Sequence, residues 1–209
     1  MKKLLAVSIF LAGLFLILSS QYEKKKDVWA LSTLKIITST GHGSGVHIGN
    51  GYILTAAHVV AGDQSVRVMA SHNGEEPADV LWVNKAHDVA LLRSSSLHGV
   101  DTSPLSCNQT GVGQSVRATG NPGSLEFVTS WGRVGSNEAT RGPWKSTIIV
   151  DLTIAPGSSG GAIFDVHGNV VGLVVGIALT TIGFSSAPIP YSYAVPSTAI
   201  CFLLARNSS

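Results

Sequence analysis

Three residues of this chain have the types and settings that could do covalent chemistry together. Ser159 lies in Gly157-Ser158-Ser159-Gly160-Gly161, His58 closes Thr55-Ala56-Ala57-His58, and Asp88 falls in His87-Asp88-Val89-Ala90-Leu91-Leu92. A serine hydroxyl is a poor nucleophile at neutral pH. It needs a base within hydrogen-bond reach, and that base needs an orienting group. The sequence supplies one candidate for each role. Glycines around Ser159 let the backbone take conformations that a Cβ would resist, and so aim amide hydrogens at one point. Singly, each motif is weak: Gly/Ser-rich turns are common where strands reverse, a lone histidine is usually a satisfied core residue, and an aspartate can cap a turn. In combination, with apolar strand residues beside each, they point to hydrolysis by an activated serine.

The elements that must position these residues read as strands. Charged residues make up only 12% of the 209 positions, and there are 23 glycines. Leu34–Thr38, Val66–Met69, Val89–Leu92, Thr147–Leu152 and Val170–Val175 are short, rich in β-branched residues and separated by turn residues. That pattern favours many short antiparallel strands. Only Ser197–Arg206 reads as a helix, and Ser94–Gly113, where Ser, Gly, Asn and Pro accumulate, reads as a boundary between two halves.

At these residues the chain resembles the trypsin-like serine proteases, most closely the catalytic domain of the HtrA/Deg branch. The resemblance spans about Gly41 to Ala205. It rests on Gly43-Ser44-Gly45-Val46, Gly51 through Val60, Arg117 through Gly123, Val128 through Gly132, Val150 through Ile163, and Tyr193 through Ser197. The order His, Asp, Ser along the chain is that of this fold and differs from the α/β-hydrolases and subtilisins. The resemblance implies an all-β fold of two packed six-stranded antiparallel barrels with a short C-terminal helix. Barrel 1 is expected over about 31–103, barrel 2 over about 112–196 and the helix over about 197–206, after a leader and linker over 1–30. The chain ends at Ser209, directly after the helix, so the PDZ domain common in the branch is not expected.

The resemblance assigns roles. Ser159 Oγ attacks the scissile carbonyl, His58 takes and later delivers the proton, and Asp88 fixes the imidazole tautomer. The Gly157 and Ser159 amides form the oxyanion hole, where one donor is worth on the order of 3 kcal/mol. Thr153 is expected at the base of the first specificity pocket, with Val174, Val175, Gly176 and Ile177 as its wall. No acidic residue occupies position 153, so a small or aliphatic preference is expected and a basic one is not. Digestive members carry an aspartate where this chain has Ser158, so activation by insertion of a new N-terminus is not expected. Gly135–Trp144 and Leu179–Pro190 are expected to be loops that order the site. Asp151 is read as a strand-end hydrogen-bond acceptor.

Lys2-Lys3 followed by the apolar run Leu4–Leu18 has the layout of an export signal. The run is short for a spanning helix, yet Ile17 and Leu18 stand where cleavage wants a small residue. A cleaved signal and a retained anchor both stay open, and membrane association through residues 4–18 goes with the second. Lys24-Lys25-Lys26 leaves the orientation unsettled. The formal charge of +2 is contributed by Lys2 and Lys3, so the neutral body gives no reason to expect nucleic acid. No His-Glu-x-x-His arrangement or Cys/His cluster is present, and no metal or cofactor is expected. Cys107 and Cys201 allow one bridge or none; the fold implied by the resemblance brings the barrel connector near the terminal helix, and an exported protein permits pairing. The branch often trimerises through the segment before the first barrel, where Tyr22 and Trp29 stand. The expected function is endopeptidase action on unfolded or flexible polypeptides. A catalytically silent binding protein and a small-ester hydrolase are the alternatives.

Overall fold

Alternating side chains explain the first half of the chain. In Ser65–Ala70, Val66, Val68 and Ala70 point inward while Ser65 and Arg67 face solvent, the period of two expected of a half-buried strand. Six such strands close a barrel: β1 (Thr33–Ile37), β2 (His42–Gly49), β3 (Tyr52–Thr55), β4 (Ser65–Ala70), β5 (Glu75–Asn84) and β6 (Val89–Arg93), in the order β1-β2-β3-β6-β5-β4. All pairs are antiparallel, and β1 returns to β4 to complete the ring. The computed structural model describes Gly13, residues 28–182 and residues 185–207. Apart from Gly13, the leader, Tyr22 and the Lys24–Lys26 cluster lie outside the described residues. Among the described residues, no helix is long and apolar enough to cross a membrane. The turn α1 (Val28–Leu31) leads into β1, and α2 (Ala57–Val60) follows β3.

The second half contains β7 (Ser115–Gly120), β8 (Val128–Arg133), β9 (Ala139–Arg141), β10 (Trp144–Val150), β11 (Ala162–Phe164), β12 (Val170–Ile182) and β13 (Ser185–Pro196). Their sheet order is β8-β7-β11-β12-β13-β10-β9. An antiparallel bridge between Val134 and Val150 joins the end of β8 back to β10. Gly135 N–H donates to Ile149 O at 2.7 Å and Asp151 N–H to Arg133 O at 3.0 Å across that seam. Six strands thus close the second barrel, and β9 is an extra strand hung on β10.

Three apolar clusters stabilise this arrangement. Leu34, Ile36, Ile53, Val68 and Leu92 fill barrel 1; Val116, Ile148, Val150, Ile163 and Val174 fill barrel 2. A third cluster, with Leu54, Leu91, Phe164, Leu173, Ile200 and Leu203, joins the two barrels to the terminal helix α3 (Ser197–Asn207). Phe164 is completely buried there, and truncating such a ring costs about 3–5 kcal/mol. The connector after β6 is pinned to barrel 2 by Ser106 N–H to Val170 O at 2.9 Å and Val170 N–H to Pro104 O at 2.8 Å. From it, Cys107 is disulfide-bonded to Cys201 of α3, 94 positions away. Closing so long a loop in the unfolded chain contributes on the order of 4 kcal/mol in the chain-entropy account.

Two segments depart from their expected loop character. Gly135–Trp144 holds the small strand β9, which pairs with β10 through Arg141 and Trp144. Leu179–Pro190 lies mostly in the β12–β13 hairpin, with Leu179 opposite Pro188 and Ile182 opposite Ser185. Prolines at 188 and 190 are tolerated because this stretch of β13 pairs only with β12; its other edge needs no N–H donors.

Candidate active site

His58 stands in the one-turn helix α2, and Asp88 in the tight turn between β5 and β6. Asp88 takes a left-handed φ of 57°, a region that aspartate tolerates better than most residues. Its carboxylate, almost wholly buried, receives three donors. His58 N–H donates to Oδ1 at 2.9 Å and the His58 Nδ1 hydrogen to Oδ2 at 2.7 Å. Trp144, from barrel 2, donates its indole Nε1–H to Oδ2 at 3.2 Å. One carboxylate therefore fixes both the backbone and the ring of the histidine. Nδ1 carries the hydrogen and Nε2 is left as the basic nitrogen, the tautomer a general base requires. The His58 side chain is half exposed while that of Asp88 is 7% exposed, so the imidazole faces the cleft and the carboxylate faces the protein.

The Ser159 turn is held by its backbone. Ser44 N–H donates to Ser159 O at 2.8 Å, and Gly160 N–H donates to Val174 O at 2.7 Å. A Cβ at Gly160 would sit 2.2 Å from Ser44 O, 2.2 Å from Thr55 Oγ1 and 2.7 Å from Ala56 N. Only glycine lets barrel 2 approach barrel 1 this closely. The same contact sets Ser159 against the residues that lead into α2 and His58. Upstream, Pro156 O accepts from Gly123 N–H at 2.7 Å, and Gly157 O accepts from Ser44 Oγ at 2.7 Å. Among the described residues no peptide bond is cis, so the anchored Pro156 carbonyl leaves the Gly157 N–H directed away from Gly123. Neither Gly157 N–H nor Ser159 N–H is taken up by a protein acceptor among the described residues.

Ser44 and Asn121 tie this turn to barrel 1. Ser44 Oγ accepts from Asn121 N–H at 2.8 Å and lies 3.2 Å from Asn121 Nδ2, which also donates to Leu34 O. Asn121 O meets His42 Nε2 at 2.9 Å. Ser158 is buried, and its Oγ accepts from Ala155 N–H at 3.3 Å, closing the turn locally. Asp151 accepts from Arg133 N–H.

The expected specificity wall is divided between two cavities. Val175 lines a cavity of about 830 Å³ with His58, Asp88, Trp144, Val83 and Lys85. Thr153 and Val174 line a separate space of about 20 Å³ with Thr119, Gly120 and Ser158. Room on that scale holds about one water. Val174 is 1% exposed and belongs to the barrel 2 core; strand alternation turns it inward, so it gives a peptide no side-chain surface. Gly176 lies under the Trp144 ring, and Ile177, half-buried, follows on β12. Beside Asp88, His87 has its pKa lowered by burial first and by the Lys145 ammonium second, with Glu138 opposing.

The structure brings His58 and Asp88, both expected from the sequence, into direct contact. It adds Trp144, Ser44 and Asn121, which the sequence did not single out, as hydrogen-bond partners around them and around the Ser159 turn. Ser44 and Asn121 were legible only as members of glycine-framed motifs, and Trp144 fell in a segment read as a loop.

The family pattern described as a trypsin-like peptidase domain matches residues 43–173, and the chain belongs to that family. Within it, the relatives are of the HtrA type. The chain is 28% identical over 171 residues to the serine protease Do-like HtrA of Lactococcus lactis subsp. lactis, with 73% of this chain and 40% of the relative aligned. It is 34% identical over 162 residues to a probable periplasmic serine endoprotease, DegP-like, of Pseudomonas fulva, covering 74% of this chain and 32% of that protein. The chain thus spans well under half the length of these relatives. The fold matches that of the Rv3671c protease from M. tuberculosis in an inactive form, with a TM-score of 0.72, 24% identity, and coverage of 87% of this chain and 90% of the other.

Proposed function

We propose that this chain is a serine endopeptidase that cuts unfolded or flexible polypeptides through an acyl-enzyme on Ser159. The observation that carries the reading is the doubly held His58, its ring at 2.7 Å and its backbone at 2.9 Å from one buried carboxylate, beside a serine turn whose Gly157 and Ser159 amides meet no acceptor among the described residues. His58 Nε2 removes the Ser159 hydroxyl proton as Oγ bonds to the scissile carbonyl carbon. The carbonyl oxygen becomes an oxyanion, received by the Gly157 and Ser159 amides. On collapse, His58 returns the proton to the departing amine, leaving an ester on Ser159. Water, activated by the same imidazole, hydrolyses that ester and restores the serine.

An extended peptide suits the cleft better than a small ester. β11 pairs with β12 only as far as Leu173, and beyond Val174 the partner of β12 is β13 alone. That leaves a free strand edge from Val175 onward, which can add a substrate strand. Half-buried Ile177 gives that edge an aliphatic side chain, in keeping with small or aliphatic residues before the cut, while Val175, 3% exposed, packs in the core between the barrels. Export or membrane tethering through residues 4–18, and a trimer formed through the segment before β1, belong to the same proposal. Export or tethering rests on the leader pattern and on relatives such as the protein of Pseudomonas fulva named as periplasmic; the trimer rests on the family resemblance alone.

The test is digestion of casein by the full 209-residue chain beside its Ser159→Ala variant, with fragments read by mass spectrometry. Fragments that vanish with Ser159, in a variant of unchanged circular dichroism, are expected. Equal digestion by both proteins would overturn the assignment.

A further inference from the structure

The carboxylate that orients His58 has a third donor that comes from the opposite barrel. Trp144 Nε1 lies 3.2 Å from Asp88 Oδ2, the same oxygen that accepts the His58 Nδ1 hydrogen at 2.7 Å. An indole N–H is a donor only, so its one polar act here is to hold that oxygen. The ring itself is tightly placed. It packs on Tyr193 with centroids 5.4 Å apart and planes tilted by 46°. A Cβ at position 176 would come within 2.9 Å of its Cη2, so glycine at 176 is what lets the ring lie across β12. The next residue, Lys145, donates its N–H to Ala86 O at 2.9 Å, fastening the start of β10 to the turn that carries Asp88. Trp144 also walls the 830 Å³ cavity beside His58.

We propose that Trp144 is a positioning residue for catalysis, acting through Asp88. Its N–H fixes the rotation of the carboxylate so that Oδ1 meets the His58 backbone while Oδ2 meets the ring. The two barrels must be in register for this bond to form, so docking of β10 on the β5–β6 turn completes the orientation that Asp88 gives His58. The inference rests on the reading of His58, Asp88 and Ser159 as a triad. It makes the orienting of the base a property of the assembled pair of barrels, although His58 and Asp88 both belong to barrel 1.

Replacing Trp144 with benzothienylalanine, in which sulfur stands for the indole N–H, removes the donor and keeps the shape. Trp144→Phe removes the donor and part of the packing. In the full chain, kinetics on a fluorogenic peptide taken from a mapped casein cut are expected to show kcat about 10-fold lower in both variants, the loss expected for one hydrogen bond to a charged group. KM should stay within about 2-fold of the unsubstituted protein for the benzothienyl variant. The low-field proton NMR signal of the His58 Nδ1 hydrogen should move in that variant, since its acceptor has lost a competing donor. An unchanged kcat with a raised KM would make Trp144 a wall of the substrate cleft only and overturn the proposal. So would an unmoved Nδ1 signal. Labelling of Ser159 by a fluorophosphonate separates the two levels: an unlabelled, folded parent chain sinks the triad reading, while the NMR comparison still decides whether the indole orients the pair.

Discussion

The two barrels hold their shares of the site by opposite means. Barrel 1 uses side chains: Asp88 grips His58 at ring and backbone, and a change of one functional group undoes the grip. Barrel 2 uses the main chain: Ser159 O, Gly160 N, Pro156 O and Gly157 O each have a partner, and none of those bonds involves a side chain of the turn, the one side chain among them being Ser44 of barrel 1. On the proposed mechanism the base needs a charge beside it to orient it, and the oxyanion site needs rigid, unreactive donors, which backbone dipoles supply without a titrating group. Mutations should therefore act on chemistry in barrel 1 and on geometry in barrel 2.

Asp88→Asn is the sharpest way to break that division. The amide keeps the size of the side chain but presents N–H₂ where a carboxylate oxygen stood, which favours the wrong histidine tautomer. A fall in kcat of about 10⁴-fold is expected, with a loss of stability of about 1–3 kcal/mol because the indole N–H of Trp144 then faces an amide N–H₂. A loss of under tenfold would mean that the backbone of α2 places His58 without its carboxylate, and that the contrast between the barrels is not real.

Ser44→Ala tests the other side with an intermediate effect. Ser44 Oγ donates to Gly157 O at 2.7 Å and accepts from Asn121 N–H at 2.8 Å. Asn121 is fully buried and Gly157 half-buried, so stability should drop by about 1–3 kcal/mol. Release of the Gly157 peptide should lower kcat/KM about tenfold. Thermal unfolding and peptide kinetics read the two terms separately. Lost stability with unaltered kcat/KM would show that the Pro156–Gly123 bond and the fit of Gly160 hold the oxyanion turn unaided.

What could be read from the sequence follows the same line. His58 and Ser159 stand out because small residues frame them: alanines before His58 and glycines about Ser159 clear space that a strand would otherwise fill, whereas Asp88 stands out only as the charge at the head of the apolar run Val89–Leu92. The barrels were legible from short β-branched runs such as Val66–Met69 and Val170–Val175. Trp144 was hidden, because its role depends on a register that brings Lys145 N–H to Ala86 O across two barrels. No local pattern encodes such a contact. The β12–β13 hairpin was hidden for a related reason. Leu179–Pro190 is locally turn-like, and becomes strand because each arm supplies the other with a partner. Val174 was placed in the specificity wall by its position in a motif, but the inward step of β12 gives it to the core.

The smallest effect concerns the seam between the barrels. His87 adjoins Asp88, and its ring Nδ1 is 3.2 Å from Asn84 Oδ1. Burial and Lys145 lower its pKa from 6.5, with Glu138 pulling the other way; Lys145 belongs to β10, and Glu138 immediately precedes β9. The folded protein therefore holds the His87 proton less tightly than the unfolded chain does. Stability from this residue is present above pH 6.5 and is lost as the pH falls through the lowered value. Melting temperatures of the parent and His87→Gln, followed from pH 7.5 down to pH 5, should diverge, with the variant losing less. Parallel curves would show that protonation of His87 is accommodated without loosening the β9–β10 hairpin. The seam would then respond to pH through other groups, and the docking of Trp144 on Asp88 would be insulated from the charge of its nearest histidine neighbour in the chain.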